Sequence, residues 1–430
     1  MNLATPEKVR KLQDALHAKA KSEPNFRFYM LYDKVHRQDI LEFAYRCSRA
    51  NDGSMGIDGQ EYEDVEAYGR EQWLGELAQE LKDKTYAPQA VRRVWIKKEN
   101  GKLRPLGIPT IKDRVAQTAA VLVLGPIFEA DLAPEQYAYR PDRSALDAVQ
   151  AAFKLLRNGH TQVVDADLSG YFDSIPHAEL LKSVARRVCD KHMLHLIKQW
   201  LDAPIEETDD RGRKHRSTPN KDAGRGTPQG APISPLLSNI YMRRFVAGWK
   251  TLGHEKRFDA HVVNYADDFV ICCKRHATEA AATMRAMMQK LKLTVNEEKT
   301  RLCRLPDDSF DFLGYTFGRE YSPRTGDSYI GRRPSAKKVK RLCKAISELT
   351  DRRHLLLDVR DLVATLNRKL TGWATYFRLG SRWKAYRAID AHARRRLRQW
   401  QCRKHGESGR KPYRYSAEYL YQELGLKALA

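Results

Sequence analysis

The chain lacks the cysteine pairing of secreted or zinc-ribbon proteins. Its 7 cysteines are odd in number, none forms a Cys-x-x-Cys pair, and Cys272 and Cys273 are neighbours. This suits reduced thiols in a reducing compartment, and no structural metal of the Cys/His type is expected. No run approaches the ~18 uninterrupted apolar residues of a membrane span. Charges recur from Met1 to Lys21, where a signal peptide needs an apolar core. A soluble intracellular protein with no membrane partner follows as the expectation. Neither a GxxxxGK(S/T) loop nor a GxGxxG after a strand occurs, which argues against an NTPase or a dinucleotide enzyme.

Acidic residues are scarce in the last quarter. Residues 331–430 hold 26 basic and 8 acidic side chains, which leaves 51 and 46 for the first 330 of the 430 residues. Most of the net charge of +23 therefore sits at one end. A near-neutral body with a basic appendage fits polyanion binding, because each Lys or Arg set against a phosphate releases condensed counterions. Trp373, Tyr376, Trp383, Tyr386 and Trp400 are interleaved there with Arg378, Arg382, Lys384, Arg387 and the run Arg394, Arg395, Arg396. Aromatics beside charge offer stacking faces for bases. Val359, Leu362, Val363, Leu366, Leu370, Trp373 and Phe377, however, recur at three- and four-residue steps, the mark of an amphipathic helix with a buried face.

A chain of this length, 42% apolar and 30% charged, can bury cores for roughly two or three domains. The first 50 residues read as polar helices ending at the turn-rich stretch 51–59, with a further helical segment to about Tyr86. β-forming residues from Val91 run through Asn100 and Gly101, a hairpin signal, to Leu106. Helices are expected over 112–129 and 143–156, a strand over 162–168, and helix again to about Leu201. The polar segment 206–228 reads as an exposed excursion or hairpin tip. Composition turns basic near Arg332, which places a domain boundary there.

The sharpest chemical signal is Val262-Val263-Asn264-Tyr265-Ala266-Asp267-Asp268-Phe269-Val270-Ile271. Two β-forming runs flank an acidic tip, so the carboxylates project from the turn of a hairpin. Adjacent carboxylates repel, which favours a divalent cation between them. A second acidic strand, Val163-Val164-Asp165-Ala166-Asp167, meets them if both strands lie in one sheet. Carboxylates from two strands around Mg²⁺ make a two-metal site for in-line attack on a phosphate.

These residues carry a family resemblance. Tyr265-Ala266-Asp267-Asp268 resembles the YxDD signature of reverse transcriptases, and Asp167-Leu168-Ser169-Gly170-Tyr171-Phe172 resembles their first catalytic block. Further blocks follow in the family's order. Residues 226–239, beginning Gly226-Thr227-Pro228-Gln229-Gly230, resemble the nucleotide-pocket block, with Asn296-Glu297-Glu298-Lys299-Thr300 and Phe312-Leu313-Gly314-Tyr315 after it. Leu31-Tyr32-Asp33-Lys34-Val35, residues 101–109, Tyr137-Ala138-Tyr139-Arg140-Pro141 and Gly372-Trp373-Ala374-Thr375-Tyr376-Phe377 resemble the group II intron-encoded lineage, the last being similar to its thumb or maturase region.

The resemblance implies that Asp167 and Asp267 hold two Mg²⁺ ions, with Mn²⁺ able to substitute, that Asp268 is the third carboxylate, and that the Leu168 carbonyl is a further ligand. Asp165 is a rival for Asp167, two residues away on the same face of a strand; the spacing to Phe172 favours Asp167. Phe172 would lie under the nucleotide sugar and exclude a 2′-hydroxyl, or else be a core aromatic. Lys97, Lys98, Lys102 and Arg104 are candidates for the triphosphate, and the resemblance favours Lys98 and Arg104. Gln229 would bond the nucleotide, Gly230 would allow its close approach, and Lys299 would lie near the leaving pyrophosphate. Phe312, Leu313 and Gly314 would hold the primer end, each being also a plausible core or turn residue. Arg378, Arg382, Arg394, Arg395 and Arg396 are the candidates for nucleic-acid contact.

The fold expected is α+β, a right-hand polymerase whose fingers and palm hold antiparallel sheet and whose thumb is helical. Its divisions are 1–85 (N-terminal extension and start of the fingers), 86–330 (fingers and palm), 331–397 (helical thumb, the maturase or X domain) and 398–430 (basic tail). After Trp400 only Cys402 and His405 recur, so no HNH-type endonuclease is expected, and priming would use an available end such as a nascent strand. The implied partners are structured group II intron RNA, an RNA template with a DNA or RNA primer, target DNA and deoxynucleoside triphosphates, in the bacterial cytoplasm at the nucleoid. Two readings compete: a domesticated reverse transcriptase of phage defence, CRISPR adaptation or repair, and a non-catalytic RNA-binding splicing factor.

Overall fold

The computed structural model describes residues 3–97, 101, 103–209, 211–407 and 415–430. Its N-terminal part is helical: α1 (Glu7–Ser22), α2 (Tyr32–Val35), α3 (Gln38–Ala50), α4 (Tyr62–Tyr68) and α5 (Arg70–Asp83). The hairpin β1 (Val91–Lys97) and β2 (Leu103–Ile108) follows, then α6 (Ile111–Glu129) and α7 (Ala145–Arg157). α6 is apolar on most sides and is buried along most of its length, so it serves as the post against which α1 and α3 pack. Lys98 and Lys102 lie outside the described residues; the paired ends Lys97 and Leu103 carry the hairpin beyond the rest of its sheet.

The chain continues through β3 (Gln162–Asp167), α8 (Tyr171–Ser174), α9 (His177–Ala185), α10 (Lys191–Leu201), β4 (Ile205–Thr208), β5 (Lys214–Ser217), α11 (Pro219–Ala223), α12 (Ser234–Thr251) and α13 (His254–Phe258). Much of the segment 206–228 is exposed, as expected of an excursion or hairpin tip. It does contain a hairpin, but β4 pairs in parallel with β1, and Glu206 is buried, held by Arg216 at 2.8 Å and Lys214 at 3.5 Å. The fingers sheet runs β2-β1-β4-β5. A buried carboxylate needs such partners, and polarity alone did not signal them.

After it come β6 (Ala260–Tyr265), β7 (Asp268–Cys273), α14 (Ala277–Lys290), β8 (Arg301–Arg304), β9 (Phe310–Phe312), β10 (Tyr315–Tyr321) and β11 (Ser328–Pro334). The palm sheet has the order β6-β7-β3-β8 with antiparallel neighbours, and β11-β10-β9 form a third sheet. Alternation sorts the palm residues into two cores. Val164, Ala166, Val262, Phe269 and Ile271 join the large cluster under the helices, whereas Val163, Val263, Val270 and Cys272 pack with Phe310, Phe312, Tyr315, Phe317 and Phe377. Asp165 and Asp167 share the parity of Val163, and Asp268 that of Val270, so the acidic residues belong to the face toward the thumb.

The thumb is α15 (Ala336–Leu349), α16 (Val359–Tyr376) and α17 (Trp383–Lys404). Leu362, Val363, Leu366 and Leu370 of α16 are buried as the periodicity predicts, each worth about 1.5–3 kcal/mol. Both expected thumb boundaries fall inside elements: 331 lies within β11, paired to β10, and 398 lies within α17. Nor is the segment after 398 a free tail. Trp400, Tyr415, Leu420 and Leu426 are buried in the same core as Leu366 and Leu397. We therefore expect Leu420→Ala to lower unfolding stability by about 2–5 kcal/mol in denaturant titrations; an unchanged midpoint would mean that this segment is only loosely attached.

Candidate active site

The tip of the β6–β7 hairpin is a two-residue loop, Ala266 and Asp267, with Ala266 at φ +56°, an uncommon conformation for a residue that carries a Cβ. Buried Asn264 braces it by donating its side-chain N–H to the Ala266 carbonyl at 2.8 Å. Its own backbone pairs with residues 135–137, since Asn264 N–H reaches the Glu135 carbonyl at 2.9 Å and Tyr137 N–H reaches the Asn264 carbonyl at 3.0 Å. Asn264 stands within the quoted hairpin motif, but a buried strand asparagine carries no signal of this duty in sequence.

In the antiparallel register of β3 and β7, Asp167 stands directly opposite Asp268. Such cross-strand pairs have Cβ atoms about 4.5–5.5 Å apart, and like charges there repel. Asp267 adjoins them at the turn. Among the described residues neither Asp267 nor Asp268 has an ion-pair partner, whereas Asp167 receives Lys299 Nζ at 2.7 Å and Asn296 Nδ2 at 3.1 Å on one carboxylate oxygen. Asp165 faces Arg301, whose Nε is 3.2 Å away, so its charge is spent on β8.

The electrostatics follow from that arrangement. Desolvation, then the Asp167 charge, raises Asp267 above the usual carboxylate range. Asp268 is open to solvent, yet enough protein surrounds its carboxyl that desolvation, followed by the charges on Asp267, Asp167 and Asp165, pushes it up to about 7. Asp165 is raised to about 6, chiefly by burial and against the pull of Arg301. Lys299 is raised, first by its hydrogen bond to Asp167. An uncompensated group of hard oxygen donors fits divalent cations. Leu168 fits as well: its bridge to Val295 uses the Asp167 carbonyl and the Ser169 N–H, which leaves the Leu168 carbonyl outside that pairing.

Beside the carboxylates opens a cavity of about 710 Å³ lined by Arg104, Leu106, Gly107, Tyr139, Phe172, Gln229, Gly230 and residues 51–54 among others, a size common for small-molecule sites. The half-buried Phe172 ring meets Tyr139 edge-on at 6.4 Å, and its carbonyl accepts from Thr227 N–H at 2.7 Å. Gln229 is held at both ends of its amide: Arg104 Nε donates to Oε1 at 3.0 Å, and Nε2 donates to Asp173 at 2.8 Å. Gly230 lines the cavity and also allows a close approach by protein. With φ +109°, a Cβ there would stand 2.5 Å from the Gly107 carbonyl oxygen of β2, so this glycine lets the 226–239 block dock on the fingers.

Other expected site residues fall elsewhere. Phe312 is buried in the core between palm and thumb, too deep for direct primer contact. Leu313 (φ +50°) and Gly314 (φ +83°) form the tight β9–β10 turn, tied to the thumb by Tyr376 Oη donating to the Leu313 carbonyl at 2.8 Å and Ser335 N–H to the Gly314 carbonyl at 2.9 Å. Of the interleaved thumb aromatics, Trp400 and Tyr386 are buried and Trp383, 59% exposed, offers an open face. Arg378, Arg382 and Arg395 are exposed and Arg394 half-buried. Arg396 is withdrawn from that set: it donates to the Thr350 hydroxyl and to the Ser347 and Thr350 carbonyls, closing the end of α15.

Comparison with known proteins agrees with this geometry. Residues 96–317 match the family "Reverse transcriptase (RNA-dependent DNA polymerase)", and residues 339–416 match "Group II intron, maturase-specific domain". The chain is 31% identical over 351 residues to protein YkfC of Escherichia coli strain K12, covering 73% of this chain and 89% of that protein. It is 35% identical over 218 residues to the group II intron-encoded protein LtrA of Lactococcus lactis, covering 50% of this chain and 34% of LtrA. It is also 24% identical over 448 residues to the 91 kDa protein in the cob intron of Schizosaccharomyces pombe, covering 86% and 53%. With a reverse transcriptase palm and a maturase thumb each matched in place, the chain belongs to the group II intron-encoded reverse transcriptase and maturase family.

Proposed function

We propose that this protein adds deoxynucleotides to a primer 3′-hydroxyl on an RNA template, and that it binds the structured group II intron RNA that encodes it and assists its splicing. The observation that carries the polymerase half is the convergence of Asp167, Asp267 and Asp268 on one sheet face beside a cavity of nucleotide size. Asp167, Asp267, Asp268 and the Leu168 carbonyl would hold Mg²⁺. Bound there, the ions supply Lewis-acid activation of the hydroxyl and of the phosphate it attacks. Arg104 brings fixed positive charge to the cavity rim, and Gln229, its amide oriented by Arg104 and Asp173, presents a fixed hydrogen-bonding edge to a nucleotide. Phe172 closes the floor where a sugar would lie. Lys299 pairs with Asp167 and sets a positive charge beside the carboxylates.

The maturase half rests on the thumb, whose exposed basic residues recognise RNA by backbone and shape. Its core takes in Tyr415, Leu420 and Leu426 from beyond α17.

Primer extension on an RNA template with Mg²⁺ tests the polymerase. Wild type is expected to synthesise DNA and Asp267→Ala plus Asp268→Ala to be silent. Silence from both, in preparations that bind structured RNA, would leave a binding-only splicing factor.

A protonated carboxyl cannot hold a cation, so at limiting Mg²⁺ the rate should fall about tenfold per pH unit below about 7, the range to which Asp268 is raised. More Mg²⁺ shifts that limb to lower pH. Lys299→Met shifts it upward, because the lysine lowers Asp268; a limb that ignores both changes refutes the assignment.

Removing phosphate contacts flattens the salt dependence of RNA affinity by about 0.7–0.9 per contact. Arg378→Ala, Arg382→Ala and Arg395→Ala are expected to do so, whereas Arg396→Ala is expected to lower the melting temperature and leave the slope alone.

A further inference from the structure

At the far end of the β6–β7 hairpin from the acidic tip, three side chains from separate segments converge. His160 comes from the turn between α7 and β3, Asp259 from the junction of α13 and β6, and His261 from β6, where it pairs with Cys272. Their ligand atoms all lie within 4.8 Å of one another. Asp259 Oδ1 is 3.2 Å from His160 Nε2 and 3.8 Å from His261 Nε2.

Each histidine also has an acceptor near its outward nitrogen. His160 Nδ1 lies 3.2 Å from the Leu155 carbonyl, which can accept its N–H. His261 Nδ1 faces the Glu255 carboxylate at 3.7 Å, another acceptor. With the ring protons on Nδ1, the tautomer these outer acceptors can take, both Nε2 atoms present lone pairs beside Asp259 Oδ1, which is the donor set a metal ion requires. A metal-bound histidine characteristically gives its other N–H to a backbone carbonyl or a carboxylate. Lys274 takes the remaining oxygen, Oδ2, at 3.1 Å and so fixes the carboxylate's orientation without occupying the convergence point.

We propose that His160, Asp259 and His261 bind a divalent transition-metal ion, Zn²⁺ by the chemistry of its donors. Two imidazoles and a carboxylate suit zinc, whereas the all-oxygen group at the active site suits magnesium. Tetrahedral zinc with bonds of about 2.0–2.2 Å needs ligand atoms about 3.3–3.5 Å apart, which the 3.2 and 3.8 Å separations approach. Water would fill the fourth position. His160 is buried and the other two are half-buried, a setting for an ion that pins the α7–β3 turn to the root of the hairpin that carries Asp267 and Asp268. His160 lies 99 residues from Asp259, and the pair Asp259 and His261 alone is too short a pattern to signal a site in sequence.

Equilibrium dialysis of the chelator-treated full chain against Zn²⁺ tests this. One equivalent is expected for wild type. Affinity should fall at least tenfold in His261→Ala and in the isosteric Asp259→Asn, each checked for folding by circular dichroism. Zn²⁺ should raise the melting temperature of wild type by roughly 2–4 °C and leave both variants unmoved. Absence of stoichiometric zinc in wild type, or equal binding in both variants as free cysteines would give, overturns the site. No zinc combined with a lower melting temperature for Asp259→Asn would identify a His160–Asp259 ion pair and overturn it equally.

Discussion

The repulsion between Asp167 and Asp268 across one rung of the palm sheet is the interaction on which the rest depends. It is tolerable because β3 and β7 are held by hydrophobic packing on both faces, with Val164 and Phe269 toward the helices and Val163 and Val270 toward the thumb. A slip of one residue in that register would turn the carboxylates into the helical core. The alternation that buries valines is thus also what aims the acids. The active-site lysine and asparagine, Lys299 and Asn296, attach to the member of the group that the hairpin does not carry, so the two acidic segments are compensated differently.

Around this centre the fold uses polar side chains as fixed braces. Asn264 holds the hairpin turn, Arg114 draws the loop of residues 53–54 onto the start of α6, and Gln229 links Arg104 of the fingers to Asp173 beside the first catalytic strand. The Asn264 and Arg114 bonds satisfy backbone carbonyls that burial would otherwise leave costly, and Gln229 makes its link at the exposed rim. Cavity and catalytic face are therefore positioned by the same bonds that stabilise the junction of fingers and palm.

The thumb meets the palm through aromatic packing. Phe377, at the end of α16, sits against Tyr315 with Trp373 packed on Phe377, and Tyr376 caps the turn at Leu313. Leu313 and Gly314, among the residues expected to hold a primer, are thus also bonded to the thumb through their backbone carbonyls.

Sequence by itself determined the elements with strong periodicity and the chemistry with short-range spacing. α16, both strands of the acidic hairpin and β3 lie where alternation and three- to four-residue steps put them, because those periods are properties of the backbone. The carboxylate types and their order were likewise legible. Tertiary structure alone decided which polar residues face solvent. Glu206, Asn264 and Arg396 read as surface residues or carry no signal, and each is spent on a buried or bridging contact. It also decided that Gly230 makes room for Gly107 and that the chain beyond 398 completes a core. The reason is physical: burial of a polar or terminal segment depends on partners distant in sequence, and no local pattern encodes them.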